Sequence, residues 1–261
     1  MAVPERVVIS GVGCCTALGH DLDGVARSLR EGRDAFRASG ALEGLSVCPA
    51  EDWGQDEARQ QFESWRHRHY LNRGSRMAVL SGLRALRDAG LEAGLPVRSQ
   101  IVAAVGPMLD VTGEPGLPPQ DTATLGALWL LRWLPNTAAG ALARFARCHG
   151  EALTVNAACA SALQALGEGW RRIRFGLADA VLVAAGDSRL SLGGLLGYHK
   201  ARALSLCAPG AGPRPFDMGR DGFVPGEGGA AFVLESLSSA QARGARIHAE
   251  ILGYGASVDA E

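Results

Sequence analysis

Short apolar runs alternate along the chain with longer stretches of helical periodicity. The short runs are rich in Val, Ile, Leu and Ala, and several are apolar throughout rather than alternating. Continuous apolar runs of this length are typical of strands buried on both faces of a sheet. We predict strands at residues 7–10, 101–105, 153–157, 180–185, 231–235 and 249–253.

Helical spacing appears between these runs. Asp21 is a favourable N-cap for one helix, and Gly90 ends another whose apolar stripe includes Leu83 and Leu86. Strands that alternate with helices predict a layered α/β fold. The predicted helices cover residues 22–30, 75–89, 122–134 and 160–175.

Composition excludes several classes of protein. The chain has 261 residues, 47% of them hydrophobic, and a net charge of −1, which is ordinary for a globular protein and gives no electrostatic reason to bind nucleic acid. No apolar run approaches the roughly 18 residues of a membrane helix, and the start of the sequence does not fit a signal peptide. Six cysteines without a CxxC pair predict neither a disulfide scaffold nor a zinc site. We therefore expect a reducing cytoplasm and no bound metal.

The first predicted strand is followed by Gly11-Val12-Gly13. A dinucleotide-binding fingerprint would need a third glycine where Thr16 stands. We interpret the pair of glycines as a tight turn from strand to loop.

Cys159 gives the strongest local signal. It follows the strand predicted at 153–157 and precedes the helix predicted at 160–175, with small residues on both sides. A helix N-terminus favours a thiolate, so we expect a lowered pKa and a nucleophilic sulfur. The alternative is an inert core cysteine. We interpret the other cysteines as small apolar fillers: Cys14, Cys15, Cys48, Cys148 and Cys207.

A second cluster, residues 214–228, combines charged, aromatic and glycine residues before the strand predicted at 231–235. Taken alone, it indicates a rigid loop with an internal ion network. We assign a supporting role in this loop and the pocket wall, rather than chemistry, to Asp217, Arg220, Phe223 and Glu227.

Several of these blocks resemble one family. The segment LTVNAACASA at 153–162 resembles the active-site signature of the β-ketoacyl synthases, the condensing enzymes of fatty-acid and polyketide assembly. Further blocks agree in the same order along nearly the whole chain. They are VVISGVG at 7–13, PN at 135–136, ALS at 203–205, RPFD at 214–217, RDGF at 220–223, GEG at 226–228, RGA at 243–245 and GYGAS at 253–257.

The resemblance implies a fold and an activity. It implies the thiolase-like fold, in which two similar α/β/α halves are layered, with residues 1–261 as the N-terminal half. Cys159 would accept an acyl chain from an acyl carrier protein, its backbone N–H would serve the oxyanion, and a decarboxylated malonyl unit would attack the thioester. The carrier's phosphopantetheine arm would deliver the substrates, so no other cofactor is expected. The family's two catalytic histidines and a lysine lie in the second half, which we expect to be absent here.

Two alternatives stay open beside this condensing enzyme. One is a non-catalytic partner subunit similar to the chain-length factors, although such partners usually lack the nucleophile. The other is an acyl-transfer module that loads Cys159 but does not condense.

Two surfaces are predicted from charge and hydrophobicity. A basic cluster of Arg66, Arg68, Arg73 and Arg76 would dock an acidic carrier protein, or it is simply the solvated start of a helix.

The segment 122–134, which includes Trp129 and Leu130, would be apolar on nearly every side as a helix. We interpret it as part of an obligate interface, in a homodimer or in a heterodimer with a complete synthase chain. The alternative is a helix central to the core of a monomer.

Overall fold

The computed structural model describes residues 4–51, 53–107 and 127–259. A mixed six-stranded sheet separates two helical layers, in the strand order β5-β4-β6-β7-β1-β8. The strands are β1 (Val7–Thr16), β2 (Arg37–Ala38), β3 (Ser46–Val47), β4 (Ser99–Val105), β5 (Ala152–Thr154), β6 (Ala180–Ser188), β7 (Glu227–Ser236) and β8 (Ala249–Ile251). The helices are α1 (Leu22–Arg30), α2 (Gln55–Phe62), α3 (Arg73–Asp88), α4 (Thr137–Phe145), α5 (Ser161–Arg174), α6 (Leu192–Lys200) and α7 (Leu237–Ala242).

Strand direction changes across the sheet. β4 is parallel to both β5 and β6, while β7 runs antiparallel between β6 and β1. Successive side chains of β4 alternate between two cores, so that Ile101 and Ala103 face the α3 layer and Val102 and Ala104 face the α5 layer. The layered α/β/α fold is therefore confirmed. The four central strands are mostly buried, as predicted, whereas the edge strands β5 and β8 are partly exposed.

The predicted turn at Gly11–Gly13 is wrong, because β1 continues through it to Thr16. The two glycines lie where α3 packs against the strand. A Cβ on Gly13 would lie 2.1 Å from the carbonyl oxygen of Ser81. Glycine is thus required here by the close approach of helix and strand rather than by a turn.

Most element boundaries differ from the predictions by a few residues. α1 matches its predicted span, and the side chain of Asp21 accepts a hydrogen bond from the Gly24 N–H, as an N-cap does. β1, β6 and β7 are longer than predicted because small residues extend them beyond their apolar runs. The pattern did not predict four short helices, α2, α4, α6 and α7.

The helix predicted at 122–134 is wrong over the part that can be compared. Residues 122–126 lie outside the described residues. Beyond them, the backbone of Leu128 is left-handed (φ 63°), and only a single 3₁₀ turn follows at Trp129–Arg132. A left-handed residue with a side chain interrupts a right-handed helix, so helical hydrogen bonding cannot pass through this point.

No helix within residues 4–51, 53–107 and 127–259 is both long and apolar enough to cross a membrane.

Candidate active site

Cys159 lies in a sharp connection between β5 and α5. β5 ends at Thr154, and a 3₁₀ turn at Ala158–Ala160 leads directly into α5. The backbone of Ala158 is left-handed, with φ of 49°. A non-glycine residue in this region carries strain, and such strain is concentrated at functional sites. The turn leaves the Cys159 side chain exposed at the N-terminal end of α5.

One hydroxyl group fixes the turn. Ser161 Oγ accepts a hydrogen bond from the N–H of Ala157 and donates one to the carbonyl oxygen of Ala158, both at 2.7 Å. These bonds bridge the two residues that precede Cys159, one of which is the left-handed Ala158. Cys159 lies two residues before the first residue of α5, so it is close to the positive end of the helix dipole. No side chain in the described part of the chain caps this helix.

Cys159 opens into a cavity of about 630 Å³. The cavity is lined largely by glycine and alanine at the ends of β4, β6 and β7, so strand backbone forms most of its floor. Tyr198 of α6 and Arg189, which follows β6, contribute larger side chains. The small lining residues are Ala104, Gly106, Ala158, Ala162, Ala185, Gly186, Gly228, Gly229 and Ala230.

The remaining cysteines have a different environment. Burial raises the pKa of Cys14 to about 11, and it also raises the pKa values of Cys15, Cys48 and Cys148. Cys14, Cys15 and Cys148 are buried, while Cys207 is half-buried. Buried thiols with raised pKa values are poor nucleophiles, as expected for apolar fillers.

The loop at 214–228 divides into two parts. Asp217 and Arg220 are exposed, and their hydrogen bonds go to the backbone of the same loop: Asp217 accepts from the Gly219 N–H, and Arg220 donates to the Asp217 carbonyl. These two residues stabilise the loop itself and lie outside the wall of the Cys159 cavity. Phe223 contacts the cavity residue Tyr198 edge-to-face, with ring centroids 5.2 Å apart.

Glu227 is the most buried of the four predicted supporting residues, with its side chain 2% exposed. Its carboxylate accepts two hydrogen bonds from Arg73, at 2.6 and 2.5 Å, and one from Ser188 Oγ at 2.6 Å. It also accepts from the Ala50 N–H at 3.1 Å. The expected ion network is thus formed between the loop and α3 rather than within the loop.

The four predicted docking arginines separate into two groups. Arg73 is held by Glu227. Arg66, Arg68 and Arg76 line a basic cavity of about 550 Å³, and the neighbouring arginines add to burial in lowering the pKa of Arg76. The other lining residues are Trp53, Gln55, Ala58, Arg59, Phe62 and His69.

No cluster of three or more His, Cys, Asp or Glu that could hold a metal ion occurs within the ranges that the structure describes.

The candidate site is a thiol at a helix N-terminus above a floor of strand backbone. The sequence indicated Cys159, and the signature segment 153–162 includes Ser161 without assigning it a role. It gave no signal for Tyr198 or Arg189, because their positions beside Cys159 depend on contacts between separate elements.

Comparison with known proteins decides the family. The β-ketoacyl synthase N-terminal domain matches residues 4–240. The chain belongs to the β-ketoacyl synthase family. It is 27% identical to the 3-oxoacyl-(acyl-carrier-protein) synthase 2 of Vibrio cholerae and 28% identical to that of Staphylococcus aureus, over 98% and 100% of this chain. The alignments cover 64% of each relative, so the chain spans slightly less than two thirds of the length of these relatives.

Solved β-ketoacyl synthases share this fold. A β-ketoacyl synthase from Burkholderia phymatum superposes with a TM-score of 0.77 and 30% identity, covering 95% of this chain and 63% of that one. The ishigamide ketosynthase/chain length factor superposes with a TM-score of 0.78 and 31% identity, covering 97% and 63%. The thiolase-like layered fold is therefore confirmed over the length of this chain.

Proposed function

We propose that this chain is the N-terminal half of a β-ketoacyl-(acyl carrier protein) synthase-type acyltransferase of fatty-acid or polyketide assembly. The observation that carries the proposal is the exposed Cys159 at the N-terminus of α5, above a cavity floored by strand backbone. Family membership over residues 4–240 supports the same activity. As in the sequence-based expectation, we place the protein in the cytoplasm.

The chemistry begins with acyl transfer. The Cys159 thiolate attacks the thioester carbonyl of an acyl carrier protein, and the developing oxyanion is stabilised by the Cys159 backbone N–H. Collapse of the tetrahedral intermediate leaves the acyl group on sulfur and releases the phosphopantetheine thiol, which takes up a proton. We expect no metal and no freely diffusing cofactor, because the carrier's arm brings the substrates.

The condensing step needs more than the described residues provide. The histidines and lysine that the family resemblance assigns to malonyl decarboxylation belong to the second half of the family fold. A module that only transfers acyl groups remains a second candidate. A chain-length-factor-like partner is a third, supported by the likeness to a ketosynthase/chain length factor but weakened by the exposed Cys159.

Intact-mass analysis of this chain with an acyl carrier protein substrate tests the proposal. We expect a mass increase equal to the acyl group in the natural sequence and none in Cys159→Ser. Adding malonyl carrier protein separates transfer from condensation, because only condensation releases a chain longer by two carbons. Absence of an adduct with a folded protein would support the partner role instead.

The carrier protein is proposed to dock on the basic cavity. Arg66, Arg68 and Arg76 supply positive charge, whereas Arg73 is paired with Glu227 and has a structural role. Reversal of charge at Arg66 and Arg68 together should weaken carrier binding, and added salt should weaken binding to the natural sequence. Charge reversal at the distant, exposed Arg98 provides the matched control. Equal affinity in all three proteins would remove this surface from the proposal.

Association is proposed to involve the apolar segment near the 3₁₀ turn. Leu130 is 53% exposed and Leu128 and Leu134 are exposed beside it, which supports a partner-covered surface over a core position. We propose a dimer, with itself or with a complete ketosynthase-type chain. Leu130→Asp and Trp129→Asp should give a smaller sedimenting species with unchanged secondary structure. A natural sequence that sediments as a stable monomer at micromolar concentration would contradict the dimer.

A further inference from the structure

A second cavity lies beside the cavity that contains Cys159. It has a volume of about 430 Å³, and its wall is formed largely by the start of α3, by the residues that follow β6 and by Arg132 of the 3₁₀ turn. The two cavities share the lining residues Pro107, Asp187 and Arg189. The acyl transfer proposed above uses no group of the second cavity.

The charges that line the second cavity do not balance. Three arginines and two carboxylates lie in its wall, which is a formal excess of one positive charge. Arg73 is paired with Glu227, at 2.5 Å. Arg189 is paired with Asp187, at 3.0 Å. Both carboxylates of the wall are thus held by other arginines, and the charge of Arg132 is left over.

Arg132 has a buried donor without an acceptor. The side chain is half-buried, and its Nε has no hydrogen-bond partner in the described part of the chain. Leaving a buried donor unsatisfied costs free energy, and the cost is larger for a charged group. Burial and the nearby charge of Arg132 also lower the pKa of Arg76, so positive charge accumulates on this side of α3. A negatively charged acceptor in the second cavity would satisfy Arg132 and offset this repulsion.

α3 begins at the same cavity. Its N-cap residue Asn72 and its first two residues, Arg73 and Gly74, lie in the wall. The helix has 16 residues and no acidic residue in its first turn, so its positive end adds to the charge of Arg132. We propose that the second cavity binds an oxyanion, a carboxylate or phosphate group, with Arg132 as its main partner. This inference goes beyond the proposed acyl transfer and does not depend on it.

Calorimetric titration of the full chain with inorganic phosphate and with succinate tests the inference. The ionic strength is held constant with chloride, because salt screens nonspecific attraction to surface charge. We expect saturable binding to the natural sequence, weakened about tenfold or more in Arg132→Gln, which loses a hydrogen bond between charged groups. Arg132→Lys keeps the charge without the planar fork and should be weakened less. Arg98→Gln, which changes an exposed arginine outside the cavity, should bind as the natural sequence does.

Thermal unfolding separates binding from a structural role of Arg132. In chloride alone, Arg132→Gln should melt no lower than the natural sequence, because it removes a charge that no carboxylate of the cavity wall balances. Phosphate should raise the melting temperature of the natural sequence but not that of the variant. Unfolding of the variant in chloride, or equally tight binding by both proteins, would overturn the inference. An equal loss of binding in Arg66→Gln would also overturn it, because that arginine lines the basic cavity instead.

The oxyanion has two possible sources, a free anion or the end group of a molecule attached to Cys159, because the cavities adjoin. A carboxylate-terminated alkyl methanethiosulfonate distinguishes them, with the neutral reagent of equal length as its control. The Cys159 thiolate attacks the sulfenyl sulfur, forms a mixed disulfide and releases methanesulfinate.

Phosphate binding is then measured again on both labelled proteins. Binding lost only with the carboxylate label supports the oxyanion site and identifies the end group of a thiol-bound molecule as its occupant. Binding retained with both labels supports a site for a free anion. Binding lost with both labels would show that the second cavity takes an alkyl chain, and this result would overturn the inference.

Discussion

Helices α3 and α5 cover opposite faces of the same sheet, but their burial is very different. Ten of the 16 residues of α3 are buried, and the helix packs against both β1 and α4. Only five of the 14 residues of α5 are buried, and Leu163 in its first turn is 70% exposed. The closed α3 face holds the fold together, while the open α5 face presents Cys159. The proposed nucleophile therefore lies at the end of the less completely packed helix.

The largest effect is expected where α3 meets β1. Gly13→Ala would place a methyl group 2.1 Å from the Ser81 carbonyl oxygen, and backbone rather than a flexible side chain would have to move. We expect a loss of about 3 kcal/mol of unfolding free energy, measured by urea denaturation.

Gly140→Ala is the matched control for that substitution. Among the described residues, no heavy atom outside the backbone of α4 and the two chain neighbours lies within 4 Å of the position that the new methyl group would take. Alanine is the better helix former, so we expect a gain of up to about 1 kcal/mol. Equal effects of the two substitutions would contradict the claim that α3 approaches the sheet unusually closely.

A somewhat smaller effect is expected for the ion pair that joins α3 to the sheet. Glu227→Gln keeps the shape of the side chain but removes the charge that holds Arg73. Because Glu227 is buried and Arg73 is partly exposed, we expect a loss of about 2 kcal/mol, below the range for fully buried pairs. Glu168→Gln on the open α5 face should cost less, since its partner Arg172 keeps a second carboxylate, Glu151. Equal losses would show that the two faces are not stabilised differently.

A buried thiol provides a pH-dependent test. The pKa of Cys14 is raised from 9.0 to about 11 in the folded protein by burial. Between these values the unfolded chain loses the proton that the folded chain retains, so stability falls as pH rises. We expect Cys14 to contribute up to about 2 kcal/mol below pH 9 that is lost by pH 11. Urea titrations at pH 8 and pH 10.5 should show a smaller pH effect in Cys14→Ala than in the natural sequence.

The smallest of these effects on stability is expected at Ser161. Ser161→Ala removes the hydroxyl that bridges Ala157 and Ala158, which should cost about 1 kcal/mol and slow alkylation of Cys159 severalfold. Ser161→Thr retains the hydroxyl and should restore the rate. Ala158→Gly, combined with Ser161→Ala, should restore part of it, because glycine adopts positive φ without strain. No recovery in the double variant would contradict the role assigned to this turn.

The sequence predicted the layers, and the place of Cys159 between a strand and a helix, better than it predicted the supporting contacts. Strand periodicity and capping residues are local, so α1 was placed correctly and both faces of β4 were recognised as buried. Gly13 was misinterpreted because a close helix contact and a turn require glycine for different reasons. Arg73 was interpreted as a surface charge because its partner Glu227 is distant in sequence. The contribution of Arg189 to the lining of the Cys159 cavity was not visible for the same reason.

The most direct test is the rate at which each of the six cysteines is alkylated by iodoacetamide in the native protein. Peptide mass spectrometry over a time course near pH 7.5 gives the six rates in one experiment. The account predicts that Cys159 reacts fastest and that Cys14 and Cys15, buried with raised pKa values, react slowest. If Cys159 is labelled no faster than Cys48 or Cys207, the open α5 face does not present a nucleophile.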